Sequence, residues 1–272
     1  MTIEVFSQLP LSSPHRPRKR FGQHFLIDRR VAARIIAVIA PREQESIVEI
    51  GPGKGALTTP LLERTHHLHV IEIDRDLAHA LTQRFSNEAL TVHVGDALNF
   101  DFSRLGQDLR VVGNLPYNIS TPLLFRFTDY ANVIRDAHVM LQKEVAERLA
   151  ARPSSKAYGR LSVMLQSRFT IEKLFDVPPQ AFHPAPQVES SVVRMAPLTL
   201  PPAVDYGLLG KIVTAAFSKR RKVLKNALAD LVPSEAWRTV KINPELRPEN
   251  LSVEDYLGIA RYLSDRSPDE TK

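Results

Sequence analysis

The stretch Ser46-Ile47-Val48-Glu49-Ile50-Gly51-Pro52-Gly53-Lys54-Gly55 constrains this chain more than any other. Its first five residues read as a buried strand. The glycines that follow permit a tight turn, and Ala56 to Arg64 reads as a helix with Pro60 near its first turn, where a missing N–H is tolerated. Strand, glycine-rich turn and helix open a nucleotide-binding α/β unit, because absent side chains let a ligand approach the backbone closely.

The alternation continues on both sides of that unit. Asp28 is an N-cap candidate for a helix carrying Val31, Ile35, Ile36 and Ile39 on one face, stopped by Pro41. Strands are expected over 69–74, 90–94, up to Asn114, 137–141, 169–177 and 191–195. Helices are expected over 75–86, 122–130, 144–151 and 161–167. Strands and helices alternating at these lengths predict a doubly wound α/β sheet. The loop Pro153–Gly159 is long enough to cover a site at its edge.

Composition changes at Ala196 to Pro202, where Pro197, Pro201 and Pro202 form a stiff linker. Helical spacing follows over 208–217, 222–231, 234–240 and 253–263. The expected organisation is a basic arm (1–20), an α/β domain (21–197) and a small all-helical domain (198–272). At 272 residues there is length for one large core and a smaller one.

Acids at strand ends indicate the ligand. Glu72 lies 21 residues beyond Gly51, the position for a bidentate grip on ribose hydroxyls, and Asp96 could accept from an adenine amino group. Gly51 to Ala56 also satisfies the dinucleotide fingerprint, so a hydride-transfer cofactor competes. Glu49, two residues before the first glycine, tips the choice: its carboxylate would repel a pyrophosphate and tolerate a cationic methionine portion. With Asp96 as a third acid at a third strand end, and the motif at Asn114 below, the expected adenosyl ligand is S-adenosylmethionine, with S-adenosylhomocysteine as product.

Asn114-Leu115-Pro116-Tyr117 supplies the chemistry. By itself it reads as a strand end and a turn. At the edge of an S-adenosylmethionine site it suits an exocyclic base amine, whose lone pair is delocalised into the ring. The Asn114 oxygen and the Pro116 carbonyl can each accept one amine hydrogen, and Tyr117 can stack on the base. Nothing there suits hydride transfer.

The chain carries 36 Lys and Arg against 30 Asp and Glu, a net charge of +6, consistent with a nucleic-acid partner. Two clusters concentrate that charge. Arg18, Lys19 and Arg20 abut the apolar segment Phe21–Leu26. Lys219, Arg220, Arg221 and Lys222, with Lys225 one turn on, open a helix whose dipole they oppose, so phosphate contact explains them better than local stability. No cysteine is present, which excludes disulfides and thiolate-bound zinc. His66, His67 and His69 have no evident ligand partner and read as a solvated turn; Asp74, Asp76 and Asp101 read as caps or loop acids. No metal is expected. The apolar run Ile35–Ala40 is far short of the about 20 residues a spanning helix needs, and no secretory signal is evident, so a soluble, cytoplasmic protein is expected; a monomer is expected as well.

Together these residues resemble the ribosomal RNA adenine N6-dimethyltransferase family, in its bacterial small-subunit branch. The resemblance runs from Gly22 to about Leu228 and rests on Gly22-Gln23-His24-Phe25-Leu26, Glu49 to Gly55, Asn114 to Tyr117, Phe182-His183-Pro184-Ala185-Pro186-Gln187-Val188, and Phe217 to Leu224. Singly weak, these five in order are specific. The resemblance implies a Rossmann-like methyltransferase domain with a helical C-terminal domain. It also implies transfer of four methyls to two adjacent adenines in the 3′-terminal hairpin of 16S rRNA, on the 30S subunit or its precursor. It assigns His24, Leu26, Gly51, Gly53, Glu72, Asp96 and Asn114 to the cofactor, and pairs Phe182 with Tyr117 as the two faces of a sandwich around the flipped base. Two alternatives remain: a 23S rRNA adenine N6-methyltransferase of the macrolide-resistance type, and a non-catalytic RNA-binding assembly factor.

Overall fold

The computed structural model describes residues 17–18, 22–218 and 221–265. A seven-stranded sheet organises it. Its strands are β2 (Ile47–Ile50), β3 (Leu68–Glu72), β4 (Leu90–Val94), β5 (Leu109–Asn114), β6 (Ile134–Gln142), β7 (Phe169–Val177) and β9 (Ser190–Pro197), in the order β4-β3-β2-β5-β6-β9-β7. All run parallel except β9, which is antiparallel to both neighbours. A short ribbon pairs β1 (Phe25–Leu26) with β8 (Phe182–His183), setting Leu26 opposite Phe182.

Period-two alternation divides the strand residues between two cores. Val48, Ile50, Ile71 and Val111 pack with α4 (Ser120–Asp129), α5 (Lys143–Leu149) and α6 (Arg160–Gln166). Ile47, Val70 and Val112 pack with α1 (Arg29–Ile39), α2 (Thr58–Leu62) and α3 (Arg75–Arg84). Asp28 caps α1 by accepting from the N–H groups of Arg30 and Val31, and the helix ends at Ala40 in the left-handed region just before Pro41. Helix α2 is shorter than the expected 56–64, since the glycine turn extends to Leu57. Where β2 and β5 lie side by side, Gly113 leaves no room for a side chain: a Cβ there would sit 2.6 Å from the Ile50 carbonyl oxygen.

A third cluster gathers α7 (Tyr206–Ser218), α8 (Leu224–Ala227), α9 (Ala236–Thr239) and α10 (Val253–Asp265) around Tyr256 and Trp237. Helix α8 is one turn long, not the ten residues expected, and the N–H groups of its first two residues, Leu224 and Lys225, donate to the Leu246 and Pro244 carbonyls. The loop expected to cover the site belongs to this cluster instead. Tyr158 is fully buried in it, and the Ser154 N–H donates to the Glu249 carbonyl at 2.7 Å. Burial of an aromatic ring outweighs the exposure its flanking Ser and Lys residues suggest.

Candidate active site

Strands β2 and β5 end side by side where the strand order reverses, the place where open α/β sheets bind ligands. The turn after β2 holds Gly51, Gly53 and Gly55 at φ of 66°, 56° and 82°. Gly53 is also a close approach: a Cβ would meet the Phe25 ring at 3.0 Å. Its N–H donates to Glu72 Oε2 (3.1 Å), while Glu72 Oε1 accepts from the Asp74 N–H (2.9 Å). Each carboxylate oxygen keeps lone pairs for hydroxyl donors. Burial raises the Glu72 pKa, opposed by these two bonds. Asp96 lies at the next strand end, with Oδ1 accepting from the Leu98 N–H at 2.9 Å.

These residues, with His24, Leu26 and Asn114, line one cleft of about 900 Å³, its open mouth included. Glu49 lines it too. Thr58 Oγ1 donates to its Oε2 at 2.6 Å, and burial pushes its pKa up to about 8, with Glu72 adding to the rise. The carboxylate expected there is thus mostly protonated at neutral pH until a cation approaches.

The segment from Gly22 to Leu26 crosses the cleft and is held at both ends. Gln23 Nε2 donates to Asp74 Oδ2 (3.2 Å), and β1 is paired with β8. Arg18 is part of this fastening: Nη1 donates to Asp74 Oδ1 (3.1 Å) and Nη2 to Asp76. Asp74 is fully buried and also caps α3, and both acids carry more than the cap or loop role expected of them.

At the far wall, Asn114 Nδ2 donates to the His24 carbonyl at 2.8 Å. The Pro116 carbonyl accepts from the Ile119 N–H (3.1 Å), leaving one lone pair, and among the described residues no donor reaches the Leu115 carbonyl. The Tyr117 ring stacks on His24 (5.5 Å between centroids, 28° between planes), and its hydroxyl bonds to Ser190 Oγ at 2.7 Å. Burial raises the Tyr117 pKa, so the phenol stays protonated. His24 Nδ1 lies 2.7 Å from the Pro184 carbonyl. Phe182 departs from the expected sandwich: it is 3% exposed, opposite Leu26 in the ladder, within the apolar core and outside the cleft lining.

Arg221 and Lys222 are exposed, and exposed Lys225 pairs with Glu245 at 2.5 Å. Lys19, Arg20, Lys219 and Arg220 lie outside the described residues. His66 is exposed, but His67 packs edge-on against His69, which lies tilted against His93 on the neighbouring strand, with the His69 pKa pushed down to about 4 by burial and its two neighbours. Among the described residues no group of three or more His, Asp or Glu could hold a metal, and no helix is long and apolar enough to cross a membrane.

Sequence reasoning missed three parts of the cleft. Ile73 is 42% exposed there, a flat apolar contact beside Glu72, and Ala97 lies beside Asp96. An isoleucine between two acids at a strand end is the available signal for the first. Gln23 also lines the cleft; its tie to Asp74, 51 residues away, left no local trace.

The sequence profile of the family described as "Ribosomal RNA adenine dimethylase" matches residues 14–265. The chain is 55% identical over 252 residues to the Ribosomal RNA small subunit methyltransferase A of Nitrosospira multiformis, covering 92% of this chain and 97% of that protein. It is 55% identical to the protein of that name from Thiobacillus denitrificans, covering 93% and 100%. Among solved structures, a dimethyladenosine transferase from Plasmodium falciparum superposes with a TM-score of 0.79 at 24% identity, over 89% of this chain and 98% of that one. The 23S rRNA methyltransferase ErmE superposes with a TM-score of 0.69 at 25% identity, over 88% and 99%.

Proposed function

The chain belongs to the ribosomal RNA adenine dimethylase family, and from that premise we propose that it dimethylates N6 of two adjacent adenines in the 3′-terminal hairpin of 16S rRNA. The observation carrying this reading is that Asn114–Tyr117 and the glycine turn, Glu72 and Asp96 share one cleft. The residues fit S-adenosylmethionine. Glu72 suits the ribose, Asp96 and Ile73 an adenine, and the turn at Gly53 admits close approach where a Cβ would fill the space. When bound, that ligand supplies an activated methyl group on a cationic sulfur.

Everything else falls to the protein. The His24 carbonyl only accepts, so the Asn114 amide must turn its nitrogen towards it, which directs Oδ1 away to receive one adenine N6 hydrogen. A backbone carbonyl of Leu115 or Pro116 takes the second, localising the nitrogen lone pair for in-line attack. Positioning and electrostatics do the work, and no general base is required if the proton leaves to solvent afterwards. Tyr117 offers its ring to the extruded base; such stacking contributes about 1–3 kcal/mol. Phe182, opposite Leu26, supports the ribbon that begins next to His24.

The helical region 198–272 and its cationic residues contact rRNA in this reading, with the 30S subunit or its precursor as partner, the cytoplasm as location and a monomer as active form. The test is transfer of labelled methyl from S-adenosylmethionine to undermethylated small subunits, followed by nucleoside digestion. N6,N6-dimethyladenosine at two adjacent adenines is the expected result. Label confined to 23S rRNA would replace the substrate, and RNA binding without label would leave an assembly factor.

A further inference from the structure

A second cleft lies in the helical region, away from the methyl-transfer residues. Its volume is about 740 Å³, within the range of about 300–1,000 Å³ usual for small-molecule sites, and it opens to solvent. Its floor is apolar, with Val232, Ile242 and Trp237, each no more than 8% exposed. Its rim carries Lys225, Arg238 and Lys241, and no acid is among the lining residues. Lys225 is paired with Glu245, but among the described residues Arg238 and Lys241 enter no ion pair. An apolar floor containing an indole, under a cationic rim, matches a base with its flanking phosphates.

Lys241 adds a second observation. It sits at φ 57°, just past the end of α9, where its N–H donates to the Arg238 carbonyl and the Ile242 N–H to the Trp237 carbonyl. That helix-ending arrangement favours glycine, because an L side chain is strained in the left-handed region. A lysine held there, beside unpaired Arg238, gives up local stability to place a cation at the mouth of the cleft.

We propose that this cleft is a second nucleotide-binding site, holding a single-stranded RNA base against Trp237 with its phosphates on Arg238 and Lys241. The choice of RNA among polyanions rests on the methyl-transfer reading; nucleotide binding at Trp237 does not, and is measured separately.

Trp237 is the single tryptophan of the chain, so its fluorescence reports this cleft alone. The full-length protein, with the first cleft saturated by S-adenosylhomocysteine, is titrated with a single-stranded RNA hexanucleotide, adenosine 5′-monophosphate, inorganic phosphate and a polyglutamate peptide. A saturable change with the two nucleotides, absent with phosphate and peptide, is expected. Arg238→Gln and Lys241→Gly should each weaken hexanucleotide binding and lower its salt slope by about 0.7. Lys241→Gly should at the same time raise the melting temperature, so weaker binding cannot come from unfolding. No fluorescence change with the hexanucleotide, an equal change with phosphate or polyglutamate, or unaltered binding in both variants would overturn the proposal. Loss of methyl transfer in the small-subunit assay with Trp237 quenching intact would count against the reaction, not this site.

Discussion

The Asn114 amide and the His24 carbonyl, 2.8 Å apart, join the end of β5 to the segment that crosses the cleft. One bond thus sets both the direction of the amide oxygen and the position of the segment crossing the cleft. Asn114→Asp would set a carboxylate oxygen against a carbonyl oxygen, two acceptors with no hydrogen between them. Asn114→Ala removes the acceptor without that repulsion. Single-turnover methyl transfer should fall about 10²- to 10³-fold in the alanine variant, the usual effect of losing one preorganised polar group. The aspartate variant should also bind S-adenosylmethionine more weakly, which calorimetry would read.

Arg18 was expected to contact RNA, yet its guanidinium is committed to Asp74 and Asp76. Because Asp74 also holds Gln23 and its own N–H donates to Glu72, releasing Arg18 loosens the cover of the cofactor cleft. Arg18→Gln should raise the Kd for S-adenosylmethionine about three- to tenfold, at most about 1.4 kcal/mol. The salt slope of RNA binding should stay unchanged. A lower slope with unaltered cofactor affinity would return Arg18 to the RNA surface.

What was legible in the sequence follows from where the determinants lie. The glycine turn, Glu72, Asp96 and Asn114 are each local to a strand end, and the parallel sheet brings strand ends together automatically. Asp28, Pro41 and the alternation in β2 and β5 act locally too, and those elements match expectation. Long-range pairing was not legible. Arg18 and Asp74 are 56 residues apart, so a basic run gave no hint of its own acid. Phe182 looked like an available aromatic before a proline-rich loop, but pairing with β1 turns it into the core. Arg238 and Lys241 form no run at all; only the αL turn at the end of α9 brings them to one mouth.

Glu49 makes the cofactor cleft sensitive to pH. Its pKa is about 8 in the folded chain against 4.5 for an ordinary glutamate, first because it is buried. Between those values the folded state holds a proton that the unfolded state has released, so stability from this group falls as pH rises and levels off above about 8. Glu49→Gln should therefore raise the melting temperature of the ligand-free protein at pH 8 and have little effect near pH 4. A cationic ligand favours the carboxylate, so S-adenosylmethionine binding to the native protein should release a proton at pH 7 and the variant should not. Calorimetry in buffers of different ionisation enthalpy measures that proton directly.

At the other end of the same strands, Arg110 anchors a buried ion network. Nε and Nη2 bind Asp136 at 2.9 and 3.0 Å, Nη1 binds Glu45 at 2.7 Å, and Nη2 also donates to the Ile39 carbonyl at 2.7 Å. Burial alone would raise the Asp136 pKa, but His138 and Arg110 overcome it and hold the carboxyl well below its usual range. Its stabilisation is therefore complete above the unfolded value of 3.8 and is lost as pH falls towards the folded one. Arg110→Met leaves Asp136 charged and buried without its main partner, a change that typically destabilises by about 3–5 kcal/mol. Replacing both as Arg110→Met with Asp136→Leu removes the stranded charge, so the double variant should be more stable than Arg110→Met alone. Urea denaturation of the wild type, the two single variants and the double variant at pH 7 tests this, and additive losses would mean that the two side chains are not coupled. Neither residue lines the cofactor cleft, so methyl transfer per folded molecule should stay at the wild-type rate in the double variant.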